Sequence, residues 1–300
     1  MKARLVWLVL CGIWGSTWLF IKIGLNDLPP LSFAAIRFVI AAAILWVILV
    51  VRRLSVPTSA RDLLLLAGTG VLGFTVNYGL IFWGEQYISS GLAAVLQSTI
   101  PAFGLLFAHL HLPDERMTPA KVFGVILGVI GVGVIFSNQL SLAGPRAFAG
   151  SVAIVISAAG AAYSNVLIKG YGEKIEPTII AATQMTFGLI PILIIGLIWE
   201  GNPLNFRWTG MAVISLFYLA IVGSVIAFIL YYWLVQHMDV TKSMLIALVT
   251  PVTAVILGMI VLREQLDWRT LAGGVLVLSG IALVVIRRRK KKEITVQPVS

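Results

Sequence analysis

The sequence has few charged residues and a single cysteine. Only 11% of its 300 residues are charged, whereas a soluble domain carries roughly 25%. So few polar residues do not cover a water-soluble globule. A hydrophobic content of 59% and a mean hydropathy of +1.01 indicate that lipid surrounds most of the surface. The one cysteine, Cys11, excludes a disulfide within the chain, so cysteine content gives no sign of the redox compartment.

The motifs of intramembrane enzymes and channels are also missing. The sequence has no His-Glu-x-x-His, no Gly-x-Ser-x-Gly and no Asp-rich pair in or near an apolar segment. It offers no ring of like charges and no repeated carbonyl-filter motif. We therefore predict no catalytic residue, no cofactor and no metal ion. A membrane sensor or scaffold stays open as an alternative, although the chain has no soluble domain with which to signal.

Long apolar segments dominate what is present. A helix needs about 20 apolar residues to cross the hydrocarbon core of a bilayer. Short connections with proline, glycine and charged residues separate the apolar segments from one another. The sequence predicts an all-α integral membrane protein with ten transmembrane helices, over residues 5–25, 31–51, 63–84, 90–110, 121–137, 149–168, 177–199, 209–235, 241–262 and 270–286.

The basic residues predict the orientation in the membrane. With the N-terminus inside, sixteen of the 22 Lys and Arg residues fall on the inner face and four in outer loops. This bias predicts that both termini are cytoplasmic. Six of the sixteen form one block, Arg287 to Lys292, directly after the last span. Such a block is typical of an anchor at the membrane surface rather than a nucleic-acid-binding tail. The expected partners are lipid and a small-molecule substrate, for a monomer or an oligomer.

The two halves of the chain resemble each other. A shift of about 150 residues pairs Trp83 with Trp233 and Pro101 with Pro251. We predict a first repeat over residues 1–138, a second over 147–289 and a cytoplasmic tail over 290–300. Five helices per repeat is an odd number, so the second repeat enters the membrane inverted. Inverted repeats are the structural basis of alternating access in transporters. Duplication without mechanistic meaning is the alternative.

Several short motifs resemble those of a known family. The first span contains Trp14-Gly15-Ser16, and further matching positions are Lys22, Arg37, Pro101, Pro251, Glu115-Arg116 and Glu264-Gln265. Over residues 5–286 the combination resembles EamA-type members of the drug/metabolite transporter superfamily. Two departures are the Gln265 that replaces the arginine of the first copy and a one-residue difference in spacing from proline to glutamate. The resemblance implies export of metabolites such as amino acids, or of toxic organic compounds.

Polar and aromatic residues deep in the spans are candidates for substrate binding. Each costs free energy in lipid unless it faces a cavity or a partner. Aromatic faces attract apolar groups and ammonium cations, and amides bind a carboxylate or an amine. The alternative for each is ordinary packing. The predicted substrate-binding residues are Trp14, Thr17, Trp18, Asn77, Tyr78, Gln97, Tyr163 and Asn165.

Three residues are predicted to act as hinges or gates. Pro101 and Pro251 remove a backbone donor and kink their helices at matched positions, although passive packing kinks are the alternative. Arg37 lies inside the second span, where it has three possible roles: it snorkels to the interface, attracts an anionic substrate group, or has a structural or gating role, which we favour. Its counterpart in the second repeat is the neutral Gln184.

Together these patterns predict a carrier that exports amino acids or related amphipathic, zwitterionic compounds by alternating access. Efflux of toxic organic cations is the alternative. Every acidic residue falls in a loop, in a tail or at the end of a span. Proton-coupled transporters carry the proton on carboxylates inside the membrane. The sequence therefore predicts facilitated diffusion, or coupling through something other than a buried Asp or Glu.

Overall fold

The computed structural model describes residues 2–111, 119–138, 144–172, 174–237, 246–265 and 267–286. Within these ranges every regular element is helical and no strand occurs, which confirms the all-α prediction for this part of the chain. The Glu115-Arg116 pair and the basic block from Arg287 to Lys292 lie outside the described residues.

In the first half of the chain, a proline and a serine mark the starts of two helices. Pro30 occupies the first helical position of the second helix, where its missing N–H is not needed. The Ser89 hydroxyl accepts a hydrogen bond from the backbone N–H of Leu92 and so caps a later helix. The helices are α1 (Lys2–Gly24), α2 (Pro30–Val51), α3 (Ala60–Gly70), α4 (Asn77–Glu85), α5 (Ser90–Gln97), α6 (Ile100–His111) and α7 (Pro119–Asn138).

The second half follows the same plan. Pro177 again occupies a first helical position, and the Glu176 carboxylate before it accepts hydrogen bonds from the backbone N–H groups of Thr178 and Ile179. The helices are α8 (Gly144–Tyr171), α9 (Pro177–Trp199), α10 (Gly210–Phe217), α11 (Ala227–His237), α12 (Ile246–Val261) and α13 (Trp268–Ile286).

Two π-helical segments interrupt these helices. Val71–Val76 joins α3 to α4, and Tyr218–Ile226 joins α10 to α11. A third irregularity separates α5 from α6 at Ser98 and Thr99, whose hydroxyls donate to the carbonyls of Val95 and Leu96. The sequence did not predict the π-helical segments. Such segments occur frequently at functional sites.

The helices are long and apolar enough for a multi-pass membrane protein. In the described residues, seven helical stretches qualify as spans by length and composition, and two shorter apolar helices accompany them. Helices suit this environment because they satisfy their backbone hydrogen bonds internally. The predicted count of ten spans and their inversion stay predictions.

Candidate substrate-binding site

A chain of buried hydrogen bonds joins α4, α5 and α8. The Gln97 side-chain amide donates to the Asn77 carbonyl oxygen at 2.8 Å. The Ser157 hydroxyl donates to the Gln97 carbonyl oxygen, also at 2.8 Å. All three side chains are buried. The structure therefore brings together two predicted site residues, Asn77 and Gln97, and adds Ser157, which the sequence did not single out.

Arg37 lies in the packed interior between α2 and the second π-helical segment. Its side chain is 1% exposed, so of the three alternatives for Arg37 the one in which it snorkels to the interface is wrong. Its Nε donates to the Ser224 hydroxyl at 2.9 Å and its Nη2 to the Gly223 carbonyl at 3.3 Å. Its Nη1 has no hydrogen-bond partner in the described part of the chain.

Three aromatic rings surround the Arg37 guanidinium. The guanidinium carbon lies 5.1 Å from the ring centroids of Phe38 and Tyr78 and 5.9 Å from that of Phe82. The negative face of an aromatic ring attracts a cation at such distances. The rings thus offset part of the cost of keeping this charge away from water.

A continuous series of aromatic contacts runs from Arg37 to Trp14. Tyr78 stacks on Phe74, with 5.8 Å between ring centroids, and Phe74 contacts Phe228 at 5.7 Å. Phe228 contacts Trp14 at 6.1 Å. The series links α4, the first π-helical segment, α11 and α1, so it joins the two halves of the chain. Aromatic faces attract apolar groups and cations.

Thr17 and Trp18 have different surroundings. The Thr17 hydroxyl donates to the Trp14 carbonyl at 2.8 Å. A Cβ placed on Gly223 would lie 2.9 Å from the Thr17 methyl carbon and 3.5 Å from Arg37 Nη2, so these three residues adjoin one another. Trp18 is 8% exposed and belongs to a buried apolar cluster with residues such as Phe33 and Phe82. The substrate role of both residues stays a prediction.

Tyr163 and Asn165 lie on the later turns of α8. The Tyr163 hydroxyl is 3.2 Å from His111 Nε2, and its ring contacts Phe107 at 5.1 Å between centroids. Asn165 has an exposed side chain. The structure thus places Tyr163 beside the end of α6, and no described hydrogen bond or ring contact joins it to Arg37 or Asn77. A cavity role for either residue stays a prediction.

The two predicted hinge prolines occupy different positions in their helices. Pro101 is in the first turn of α6, directly after the interruption at Ser98 and Thr99. Pro251 lies inside α12. Neither position tests a hinge function, which stays a prediction.

A cluster of charged residues lies at the ends of α1 and α4. The Lys22 ammonium donates to the carbonyls of Glu85 at 2.6 Å and Ile88 at 2.7 Å. The Glu264 carboxylate accepts from the backbone N–H and the hydroxyl of Ser90, each at 2.9 Å, and so caps α5. Lys22 interacts electrostatically with both Glu85 and Glu264.

Glu85 is the unexpected member of this cluster. It is the last residue of α4, as its predicted position at a span end requires, yet it is 0% exposed. Neither of its carboxylate oxygens has a hydrogen-bond partner in the described residues. Sequence position alone did not indicate this burial, because residues at a span end usually reach water.

Comparison with known proteins extends over nearly the whole chain. The sequence profile of the EamA-like transporter family matches residues 1–137 and again residues 148–286. The uncharacterized transporter YoaV of Bacillus subtilis is 27% identical over 93% of this chain and 95% of that protein. An uncharacterized transporter of Archaeoglobus fulgidus is 30% identical over 96% of this chain and 100% of that protein.

Two further similarities agree with these matches. The uncharacterized inner membrane transporter YedA of Escherichia coli K12 is 30% identical over 91% of this chain and 87% of that protein. A solved crystal structure with 19% sequence identity superposes with a TM-score of 0.68, over 95% of this chain and 96% of the other. The latter shows similarity of fold alone. The resemblance found in the sequence motifs is thus confirmed, and the chain belongs to the EamA-like transporter family.

Proposed function

We propose that this transporter is a carrier of the inner cell membrane that moves small organic metabolites by alternating access. Its foremost substrates are amino acids or related amphipathic zwitterions, exported from the cell. The proposed architecture has ten transmembrane helices in two inverted five-helix repeats, with both termini in the cytoplasm. The relative YedA, an inner membrane transporter by name, supports the proposed membrane.

The packing of the helices supports the inverted repeat. Helix α1 packs against α12 and α11, and its counterpart α8 packs against α6 and α4. The counterparts α2 and α9 pack against each other, as do α7 and α13. The two π-helical segments fall in corresponding helices, and one family profile matches both halves. A twofold relation between the halves accounts for all these pairings.

One observation carries the proposal: the polar and aromatic site is built from both halves. Arg37 and Phe74 come from the first half, and their partners Ser224 and Phe228 come from the second. Carriers with inverted repeats bind their substrates at the interface between the repeats. Rocking of one half against the other would open such a site to each side of the membrane in turn.

The chemistry of the site favours zwitterions over the alternative class of organic cations. Rings, the Asn77 and Gln97 amides and hydroxyl groups suit either class. The Arg37 guanidinium, however, repels a ligand whose only charge is positive. An anionic group on the solute turns this repulsion into attraction, which supports amino acids as the first class to test.

Reconstituted proteoliposomes test the proposed function. We expect saturable counterflow, in which an amino acid trapped inside accelerates uptake of the same labelled amino acid from outside. The panel consists of the twenty standard amino acids, their carboxamides, and tetraphenylphosphonium as an organic cation. Conductance that rises linearly with voltage would indicate a channel instead. Absence of flux for every member of the panel would contradict the carrier in favour of a scaffold or sensor.

A further inference from the structure

The Arg37 guanidinium has no anionic partner in the described structure. The ion pairs present there join Arg52 to Glu176 and Arg207 to Asp27, both at more exposed positions. Arg37 instead bonds to one hydroxyl and one carbonyl, and its Nη1 donates to no described acceptor. A fully buried arginine is therefore left with a positive charge and unused donors.

A buried positive charge with unused donors costs free energy unless a ligand supplies the missing acceptors. Charged residues within transmembrane segments are rare, pair with opposite charges or with backbone carbonyls, and mark substrate pathways. Aromatic rings attract the cation, but they supply no lone pairs in the plane of the guanidinium for its remaining N–H groups. A carboxylate supplies both the negative charge and two acceptor oxygens, and the planar guanidinium binds it through two parallel hydrogen bonds.

The second half of the chain has a neutral residue at the position that corresponds to Arg37. The repeat aligns Arg37 with Gln184, whose side-chain amide donates to the Thr69 hydroxyl at 2.8 Å. Gln184 is buried and joins α9 to α3 without any charge. A neutral amide is thus sufficient to tie the two helices together. The positive charge of Arg37 requires a different explanation.

We propose that Arg37 is the receptor for a carboxylate group of the transported solute. This inference rests on the proposed carrier function and narrows its substrates to carboxylic acids and zwitterions. The bound carboxylate pairs with Nη1, and the apolar part of the solute lies along the rings of Tyr78, Phe74 and Phe228. The Gly223 carbonyl accepts from Nη2, and a side chain on Gly223 would approach both Thr17 and Nη2.

The test compares each amino acid with its carboxamide on the purified protein and the Arg37→Gln variant. The variant copies the residue of the second repeat, so its helix contact has a precedent in this fold. Binding is measured as ligand-induced thermal stabilisation in detergent and as counterflow in proteoliposomes. We expect wild type to bind at least one amino acid. We expect its affinity for the corresponding carboxamide to be lower by a factor of about thirty or more. The affinity of Arg37→Gln for the amino acid should fall by the same factor, because truncating one partner of a buried charge pair weakens binding this much.

Control variants separate ligand binding from folding. Gln184→Met removes the corresponding amide of the second repeat and should keep the preference for acid over carboxamide. Arg37→Lys retains the charge without the planar fork and should bind the acid with intermediate affinity. If Arg37→Gln does not fold, equal binding of acid and carboxamide by wild type still overturns the role of Arg37, and Arg37→Lys supplies the comparison at this position.

The outcomes distinguish this inference from the carrier function. Equal binding of acids and carboxamides, or transport of tetraphenylphosphonium without any amino acid, would overturn the role of Arg37 and leave a carrier. Unchanged acid preference in Arg37→Gln would overturn it as well. Absence of flux for all probes would instead contradict the carrier function itself.

Discussion

Replacement of Gly131 by leucine is expected to prevent stable packing of α7 against α13. A Cβ on Gly131 would lie 2.6 Å from the Gly273 carbonyl oxygen and 2.8 Å from the Val277 backbone nitrogen. Backbone atoms of a packed helix do not move aside as a flexible side chain does. Overpacking costs about 1–3 kcal/mol, and occasionally more, and a leucine in this contact belongs at the upper end. The loss should appear as a lower melting temperature and poor recovery of monodisperse protein.

Gly133 provides the matched control for this substitution. It lies in the same helix, two residues further on, and a Cβ there would meet nothing within 4 Å. Gly133→Leu adds the same volume to α7 on its exposed side. Its melting temperature should be close to that of wild type. Equal behaviour of the two leucine variants would show that close approach of α7 and α13 does not stabilise the fold.

Replacement of Lys22 by methionine should destabilise the contact between the ends of α1 and α4. Methionine keeps much of the apolar length but removes the donors to the Glu85 and Ile88 carbonyls. Hydrogen bonds to a charged group are worth about 1.5–3 kcal/mol each, so we expect the variant to lose about 3 kcal/mol of stability. Thermal melting of the purified variant measures the effect.

A double substitution identifies the origin of that loss. In Lys22→Met with Glu85→Gln, the unpaired carboxylate is gone, so we expect part of the lost stability to return. The difference between the double variant and the sum of the single variants is the interaction energy of the pair. If the two effects simply add, the charges of Lys22 and Glu85 do not act on each other.

Composition and hydropathy were sufficient to predict an all-helical membrane protein. The predicted span 177–199 coincides with α9 (Pro177–Trp199), because an apolar segment flanked by proline and charged residues has clear limits. The π-helical segments were not predictable from these properties. They change the hydrogen-bond register within an apolar run without changing its composition, so neither hydropathy nor length reveals them.

The sequence predicted those members of the candidate site whose side chains cost free energy in lipid. Asn77 and Gln97 stand out because buried amides need partners, and the structure joins them directly. Ser157 and Ser224 gave no such signal, because a serine in a helix can donate to the carbonyl of its own preceding turn, as both do here. Their bonds to Gln97 and Arg37 depend on tertiary packing, which one sequence does not specify.

The inversion of the two repeats has a direct test in cysteine labelling. Thr58, before α3, and Leu204, before α10, are exposed residues at corresponding places in the two halves. With the buried Cys11 replaced by serine, Thr58→Cys and Leu204→Cys each carry a single thiol. A membrane-impermeant maleimide applied to intact cells should label Leu204→Cys, and should label Thr58→Cys only after the membrane is permeabilised. Labelling of both positions from the same side would contradict two inverted repeats and the alternating access that depends on them.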